Sequence, residues 1–226
     1  MGLEVVVART HPGTVIHYWD HLVITLRNDT IAGAVETAGT ETAETAFLSL
    51  YAITYSPTLG PGHVAIVEVE GALSGPLIAT FTDDEGLGRR QRDRLRAMGD
   101  GRAALVGPPV LARFERIPFR DRAFGFIIHA AHATIAAHWD DLGDPVWVDG
   151  QGGGFSDRED ISSIFVGAAR ARLIIDGVAI PGSPWEDDVW QPKLGRSLSS
   201  AHGAFGEIRV EPVSDRAIGS APDGRR

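Results

Sequence analysis

The sequence predicts an all-β fold, an antiparallel β-barrel with one short helix. Glycine and proline interrupt the chain often, 27 and 13 times in 226 residues. The segments between them alternate apolar with polar residues or are rich in β-branched and aromatic residues, and only one stretch has helical composition. About ten to twelve short strands in one chain fit a barrel, with a two-sheet sandwich as the alternative. We expect a single barrel domain over residues 1–213 and a disordered tail over 214–226.

The first half of the chain contains five predicted strands and then the helix. The predicted strands are 5–9, 14–27, 47–55, 63–70 and 77–82. Residues 63–70 illustrate the pattern, because glutamates and valines alternate there as in a half-buried strand. The helix is expected over 85–98, before Gly99 and Gly101.

The second half repeats this style. A strand over 110–117 precedes 123–139, whose alanines suit a helix and whose aromatic and β-branched residues suit strands broken near Ala130-Ala131; we favour strands. Asp176-Gly177 predicts a tight hairpin between 165–175 and 178–180. A strand over 204–210 closes the sheet. Residues 151–160 are expected to form a mobile loop over an opening.

Composition narrows the function classes. The chain has no cysteine, which excludes disulfides and thiolate chemistry, and its net charge of −9 disfavours nucleic acid and anionic membranes as partners. No apolar run approaches the roughly 18 residues needed to cross a bilayer, and no leader pattern is visible, so we expect a cytoplasmic protein. The arginine-rich run 89–96 is interpreted as a solvated surface. The alternative is contact with an anionic group or a second subunit, so a homodimer stays open.

A short element rich in His, Trp and Asp occurs twice. The two copies are His17-Tyr18-Trp19-Asp20-His21-Leu22 and His138-Trp139-Asp140-Asp141-Leu142. In an extended strand, His17, Trp19 and His21 share one face. The other face of that strand is the more apolar, so these histidines are expected to point either outside the barrel or into a polar cavity.

A metal site is not favoured by this spacing. His17 and His21 on one strand stand about 13 Å apart, too far to share a zinc ion. His129 and His132 would be neighbours only if their segment were helical. We therefore predict no metal and no cofactor.

Acid–base chemistry is the sharper hypothesis, because histidines in an apolar segment and aspartates that orient them suit proton transfer. The candidate catalytic residues are His132, His138, Asp140 and Asp20. The candidate ligand-binding residues are His17, Trp19, His21, His129, Trp139 and Trp147. Under the alternative interpretation the aspartates end strands and the tryptophans pack in the core.

Covalent catalysis and dinucleotide binding have weaker support. The chain lacks a Gly-x-Ser-x-Gly elbow, and its sole lysine, Lys193, lies in a turn-rich segment. The glycine run at 150–154 fails the dinucleotide fingerprint, which needs glycine where Phe155 stands.

Two C-terminal stretches carry a family resemblance. They are Ala133-Thr134-Ile135-Ala136-Ala137-His138-Trp139-Asp140-Asp141-Leu142 and Leu198-Ser199-Ser200-Ala201-His202-Gly203-Ala204-Phe205-Gly206-Glu207. Over about the last hundred residues the chain resembles the lipocalin-like β-barrel proteins grouped with carotenoid hydratases. The resemblance implies a lipocalin-like barrel, an apolar cavity and acid-catalysed chemistry on an apolar substrate.

The sequence thus predicts a barrel that binds a small hydrophobic molecule in an internal cavity. If it is an enzyme, we expect a cofactor-independent hydratase, dehydratase, cyclase or isomerase. A non-catalytic carrier is the alternative, and a structural module with a filled barrel is the third class.

Overall fold

The computed structural model describes residues 15–28, 44–70, 75–97, 99, 101–102, 107–150 and 160–211. The predicted strand over 5–9, the predicted tail over 214–226 and residues 151–159 of the predicted mobile loop lie outside these residues. The single-domain assignment over 1–213 stays a prediction.

The first half folds as four strands followed by a helix. These are β1 (Val15–Arg27), β2 (Glu44–Tyr55), β3 (Gly62–Val69), β4 (Leu77–Thr82) and α1 (Glu85–Ala97). The helix begins where the Asp84 carboxylate accepts a hydrogen bond from the backbone N–H of Leu87 at 2.6 Å. Leu87 and Leu95, two turns apart, bury one face of α1.

The second half contributes most of the remaining strands. They are β5 (Val110–Arg120), β6 (Ala123–Ala130), β7 (Thr134–Leu142), β8 (Val146–Gly150), β9 (Asp160–Ile175), β10 (Val178–Ala179), β11 (Glu186–Asp187), β12 (Leu198–Ser199) and β13 (His202–Glu211), with a 3-10 turn at Asp188–Trp190 and a one-turn helix α2 (Gln191–Leu194) before β12. The predicted break near Ala130 is confirmed, because β6 ends there. The predicted hairpin is confirmed too: Asp176 and Gly177 have φ of 51° and 82°, the positive values that this tight turn requires.

The described strands close into a barrel of nine. Around the ring the order is β1, β2, β3, β4, β5, β6, β7, β9 and β13, which pairs with β1 again. The predicted β-barrel with one main helix is confirmed. One detail differs from the expected all-antiparallel order, because β4 and β5 run parallel over Phe81–Val110 and Thr82–Leu111. The α1 crossover between them returns the chain to the same end of the sheet.

The barrel interior holds an apolar cluster whose side chains project from opposite walls. Leu22, Ile24 and Leu26 of β1 belong to it together with Phe124 of β6 and Trp139 of β7. Trp139 reaches across the interior: its Nε1–H donates to the carbonyl of Val23 at 2.8 Å, and its ring stacks on Phe124 with centroids 4.9 Å apart. At this level the interior is filled by side chains.

Two apolar clusters cover parts of the outer face. Leu87 and Leu95 of α1 pack on Trp19 and Tyr51, and Trp190 of the 3-10 turn packs on Phe165 of β9. The outer face of β1, β2 and β13 lies between these two covers, and the pocket described below opens there. Within the described ranges no helix has the length and apolar character needed to cross a membrane.

Candidate functional site

A bulge in β13 builds the site. Gly206 has φ of 66°, a left-handed value that favours glycine, and the pairing register shifts at this point against both β1 and β9. The extra residue changes the strand's parity, as bulges do. Glu207 and Arg209 therefore point to the same outer face as His202.

Asp20 stabilises this bulge from the other side of β1. Its carboxylate accepts the backbone N–H of Gly206 at 3.2 Å and forms an ion pair with Arg116 at 3.0 Å. Asp20 thus shapes the site indirectly, by holding the backbone that places Glu207.

Glu207 is the buried centre of the arrangement, with 1% of its surface exposed. One carboxylate oxygen accepts the indole N–H of Trp19 at 3.0 Å. The other accepts the Nε–H of Arg209, which is itself buried. The buried carboxylate thus has a guanidinium donor on one oxygen and an indole donor on the other.

His21 lies between Glu207 and the pocket. Its Nδ1 is 3.9 Å from the Oε2 of Glu207, and its Nε2 is 2.9 Å from the hydroxyl of Ser49. The ring stacks on Tyr51 with centroids 4.1 Å apart and an interplanar angle of 9°, which fixes its plane. Burial, followed by the positive charge of Arg209, lowers the pKa of His21 well below its ordinary value. His21 is therefore neutral at physiological pH.

His202 is a second neutral imidazole beside it. Its Nδ1–H donates to the carbonyl of Ser199 at 2.9 Å, which leaves the lone pair on Nε2. Burial lowers the pKa of His202 to about 4. Burial also raises the pKa of Tyr51 to about 12, so its hydroxyl stays protonated.

These groups line a cavity of about 380 Å³ on the outer face of the barrel. Its walls come from β1, β2 and β13, from α1 and the residues after it, and from the 3-10 turn. The apolar part of the lining includes Phe47, Leu95 and Trp190. Such a volume suits a small organic molecule.

The charges of the pocket favour an anion. Among the described lining residues, three charged side chains are arginines, Arg94, Arg102 and Arg209, and one is Asp187. Arg209 is paired with Glu207, and Arg102 with Glu44 and Glu68. After burial, which is the largest cause, the positive charges of Arg209 and Arg94 also lower the pKa of His21.

Three of the predicted residues come together here. His17, Trp19 and His21 share the outer face of β1, as their spacing predicted, and all three are buried under cover. His17 lies beside the pocket, where its Nδ1 pairs with the Ser56 hydroxyl at 2.8 Å. Of the two directions left open for these rings, the structure has the one outside the barrel interior, because the apolar face of β1 takes the inner side.

The other predicted acid–base residues do not converge with them. His132 is exposed on the turn between β6 and β7. His138 and Asp140 point outward from β7 because Trp139 between them points inward, and Asp140 pairs with Arg172 at 3.0 Å. Asp20 lies on the opposite face of β1 from His21 and does not orient its ring. The predicted placement of these four residues in one cavity is therefore wrong.

The remaining predicted ligand contacts are also scattered. His129 lies on the outer face of β6, 3.5 Å from Glu115. Trp139 packs inside the barrel, and Trp147 is 61% exposed on β8. The arginine-rich run forms the surface of α1 as expected, except that Arg94 faces the pocket.

The residues at the centre of the site were not among the predicted ones. Glu207 and Arg209 are two apart in a strand, and a glycine precedes them; a glycine inside a strand pattern signals a bulge. Ser49 and Tyr51 carry no motif. Their importance follows only from the pairing of Tyr51 with His21 and Ser49 with Val23 across β1 and β2.

Comparisons with known proteins give a distant likeness in overall shape. No protein-family model and no curated protein sequence matches this chain. Among solved structures, it is similar to acetoacetate decarboxylase from Legionella pneumophila subsp. pneumophila str. Philadelphia 1, with 11% identity, a TM-score of 0.36 and coverage of 93% of this chain and 91% of that chain. A second acetoacetate decarboxylase structure gives 12% identity, a TM-score of 0.36 and coverage of 90% and 88%.

An acetoacetate decarboxylase-like enzyme from Sphingomonas wittichii RW1 gives 12% identity and a TM-score of 0.34, with coverage of 95% of this chain and 97% of that chain. At identities and TM-scores this low no residue correspondence follows. The resemblance to the carotenoid hydratase group stays a prediction, and the site rests on the contacts of this chain alone.

Proposed function

We propose that this protein binds a small organic anion with an apolar part in the outer pocket and acts on it as a cofactor-independent acid–base enzyme. The observation that carries the proposal is the placement of His21, held between Ser49 and the buried Glu207, in a pocket lined by arginines. The proposal moves the ligand from the barrel interior, where the sequence predicted it, to the outer face.

The lining supports a ligand with two unlike ends. Arg94 and Arg102 supply guanidinium donors, which match the geometry of a carboxylate. Phe47, Leu95 and Trp190 supply apolar surface next to them. A short-chain carboxylic acid fits both requirements and the volume of about 380 Å³.

Proton transfer is the chemistry that these groups support best. A neutral imidazole can accept a proton, and the Glu207 carboxylate lies 3.9 Å from the ring nitrogen that does not contact Ser49. The arginines would stabilise the negative charge that develops when a substrate loses a proton. Lyase or isomerase reactions of an organic acid need these two functions and no bound cofactor.

A carrier is the second candidate, and one observation favours it. Arg102 and Arg209 already have carboxylate partners, which reduces the positive charge available to stabilise an anion that develops during proton transfer. A carrier would hold the same anion without exchanging its protons.

Calorimetric titration with hexanoate tests the binding proposal. We expect measurable binding that weakens at least tenfold in Arg94→Gln, because the substitution removes a cation from the pocket wall. Arg89→Gln is the matched control, since Arg89 lies on the exposed side of the same helix and pairs with Glu85 at 2.6 Å. Absence of hexanoate binding, or equal losses in the two variants, contradicts the proposal.

Proton exchange separates the enzyme from the carrier. Pyruvate is a small organic anion whose methyl protons are acidic, and NMR in D2O measures their replacement by deuterium. We expect the protein to accelerate this exchange and His21→Gln to return it to the buffer rate. A protein that binds pyruvate without accelerating exchange is a carrier.

A further inference from the structure

We infer that Ser49, His21 and Glu207 form a nucleophile–base–acid triad and that the pocket hydrolyses small carboxylic esters through an acyl group on Ser49. The inference rests on the proposed function in one respect, because His21 serves as the base in both. It adds a covalent step and a substrate class.

The geometry has the two contacts that connect the members of such a triad. The Ser49 hydroxyl is 2.9 Å from His21 Nε2, within the range for a nucleophile and its base. His21 Nδ1 lies 3.9 Å from Glu207 Oε2, which is longer than a hydrogen bond. Contacts of this kind are often long before substrate binds. The three residues come from β2, β1 and β13, and all are buried.

The surroundings hold each member in its role. Trp19 and Arg209 fix the Glu207 carboxylate, so one of its oxygens stays directed at His21. Tyr51 stacks on the His21 ring and lines the pocket together with Ser49. With a proton on Nδ1 toward Glu207, the Nε2 lone pair faces the Ser49 hydroxyl.

The absence of a Gly-x-Ser-x-Gly elbow does not argue against this arrangement. Triads occur in different chain orders on unrelated folds and are identified by the geometry of their members. Here the order is His21, Ser49, Glu207, with each residue on a strand. A local sequence motif could not reveal it, because pairing between strands brings the three together.

The reaction balances with water as the only co-reactant. Ser49 Oγ attacks the ester carbonyl carbon while its proton passes to His21 Nε2. The tetrahedral intermediate breaks its bond to the alkoxy oxygen, which leaves as the alcohol with that proton. Water then attacks the acyl carbon and gives a proton to His21. Ser49 Oγ leaves with that proton, and the carboxylic acid product ionises to a carboxylate, the kind of anion for which the pocket is suited.

The pocket also indicates the substrate class. Arg94 and Arg102 lie where they can stabilise negative charge on the intermediate and the product. The apolar lining beside them, which includes Phe47, Leu95 and Trp190, suits a short apolar acyl chain.

Active-site labelling tests the inference directly. We expect a fluorophosphonate probe to add one label to the wild-type protein, located on Ser49 by peptide mass spectrometry. Hydrolysis of p-nitrophenyl butyrate should fall at least 100-fold in Ser49→Ala and in His21→Gln. Because the wild-type label is mapped without any variant, a folding defect in a variant does not affect this result.

Ser56→Ala is the matched control. Its hydroxyl also pairs with a histidine, His17 at 2.8 Å, but Ser56 lies outside the pocket lining. We expect it to keep wild-type hydrolysis and labelling. No label on Ser49, or equal hydrolysis in Ser49→Ala and wild type, overturns the triad.

Binding separates failure of the triad from failure of the proposed function. Ser49→Ala keeps the arginines and should still bind hexanoate. If hexanoate binds but Ser49 is not labelled, only the triad is wrong. If hexanoate does not bind, the proposed function is wrong, and labelling of Ser49 decides the triad separately.

Discussion

The two His-, Trp- and Asp-rich segments have similar compositions and opposite structural fates. On β1, the histidines and the tryptophan are two residues apart, so His17, Trp19 and His21 share one face and point away from the barrel interior. On β7, His138 and Trp139 are adjacent, so they point to opposite faces, and the tryptophan fills the interior. A shift of one residue in spacing therefore turns a polar site into a packing element.

The two segments also differ in whether another element packs over their outer face. The outer face of the β1 segment lies under α1, whose Leu95 and Arg94 border the pocket. The outer face of the β7 segment meets solvent, and its Asp140 pairs with Arg172 at the surface. The same residue types therefore form a candidate site only where another element of the fold shields them from water.

The largest expected effect is on stability, from the β7 tryptophan. Trp139→Ala removes the ring that spans the barrel and should lower the free energy of unfolding by about 4 kcal/mol. Urea denaturation followed by circular dichroism measures the change. Hexanoate binding should be unchanged, since Trp139 does not line the pocket.

Trp147→Ala is the control for this prediction. Trp147 is 61% exposed, and its removal should change the unfolding free energy by less than about 0.5 kcal/mol. If the two alanine variants were equally stable, the interior role of the β7 segment would be wrong.

The second expected effect compares the carboxylates of the two regions. Glu207→Gln removes the carboxylate that pairs with the buried Arg209 and should cost about 3 kcal/mol of unfolding free energy. Asp140→Asn breaks a surface pair and should cost less than about 1 kcal/mol. Urea melts of both proteins at neutral pH give the comparison; a larger loss in Asp140→Asn would reverse our ranking of the two regions.

The most gradual of the predicted effects is the change in unfolding free energy with pH. His202 has a folded pKa of about 4 against 6.5 for the free side chain, so the unfolded chain binds more protons between these values. The contribution of His202 to the unfolding free energy is therefore constant above about pH 7. It falls as the pH drops from 6.5 toward 4, by about 3 kcal/mol in total. The lowered pKa of His21 adds loss in the same direction.

Denaturation curves at several pH values check this window. His202→Asn should flatten the slope of stability against pH. His138→Asn should retain most of it: burial lowers the pKa of His138 as well, but water screens this partly exposed ring. A wild-type slope in His202→Asn contradicts the assignment.

The sequence predicted much of the fold because strands leave local signals. Alternation and turn residues located the described strands from β1 to β7 to within a few residues, and Asp176-Gly177 located the hairpin after β9. The parallel β4–β5 pair was missed. Its direction depends on where α1 crosses, which no local pattern records.

The candidate site was predicted only in part. Strand parity grouped His17, Trp19 and His21 and left open whether they point outward or into a cavity. Two long-range facts decide this: α1, more than 60 residues along the chain, covers them, and the Gly206 bulge brings Glu207 beside His21. Neither fact has a signature near His21, so the aspartates of the same segment were chosen in place of Glu207.

The parallel β4–β5 pair is the shortest seam in the barrel wall, with two residue pairs in register where the neighbouring β3–β4 seam has six. The helix that packs over the pocket is also the chain's bridge across this seam. A fluctuation that lifts α1 would therefore loosen the wall and uncover the imidazoles in one motion. Access to the pocket and the closure of the barrel wall would then depend on the same helix.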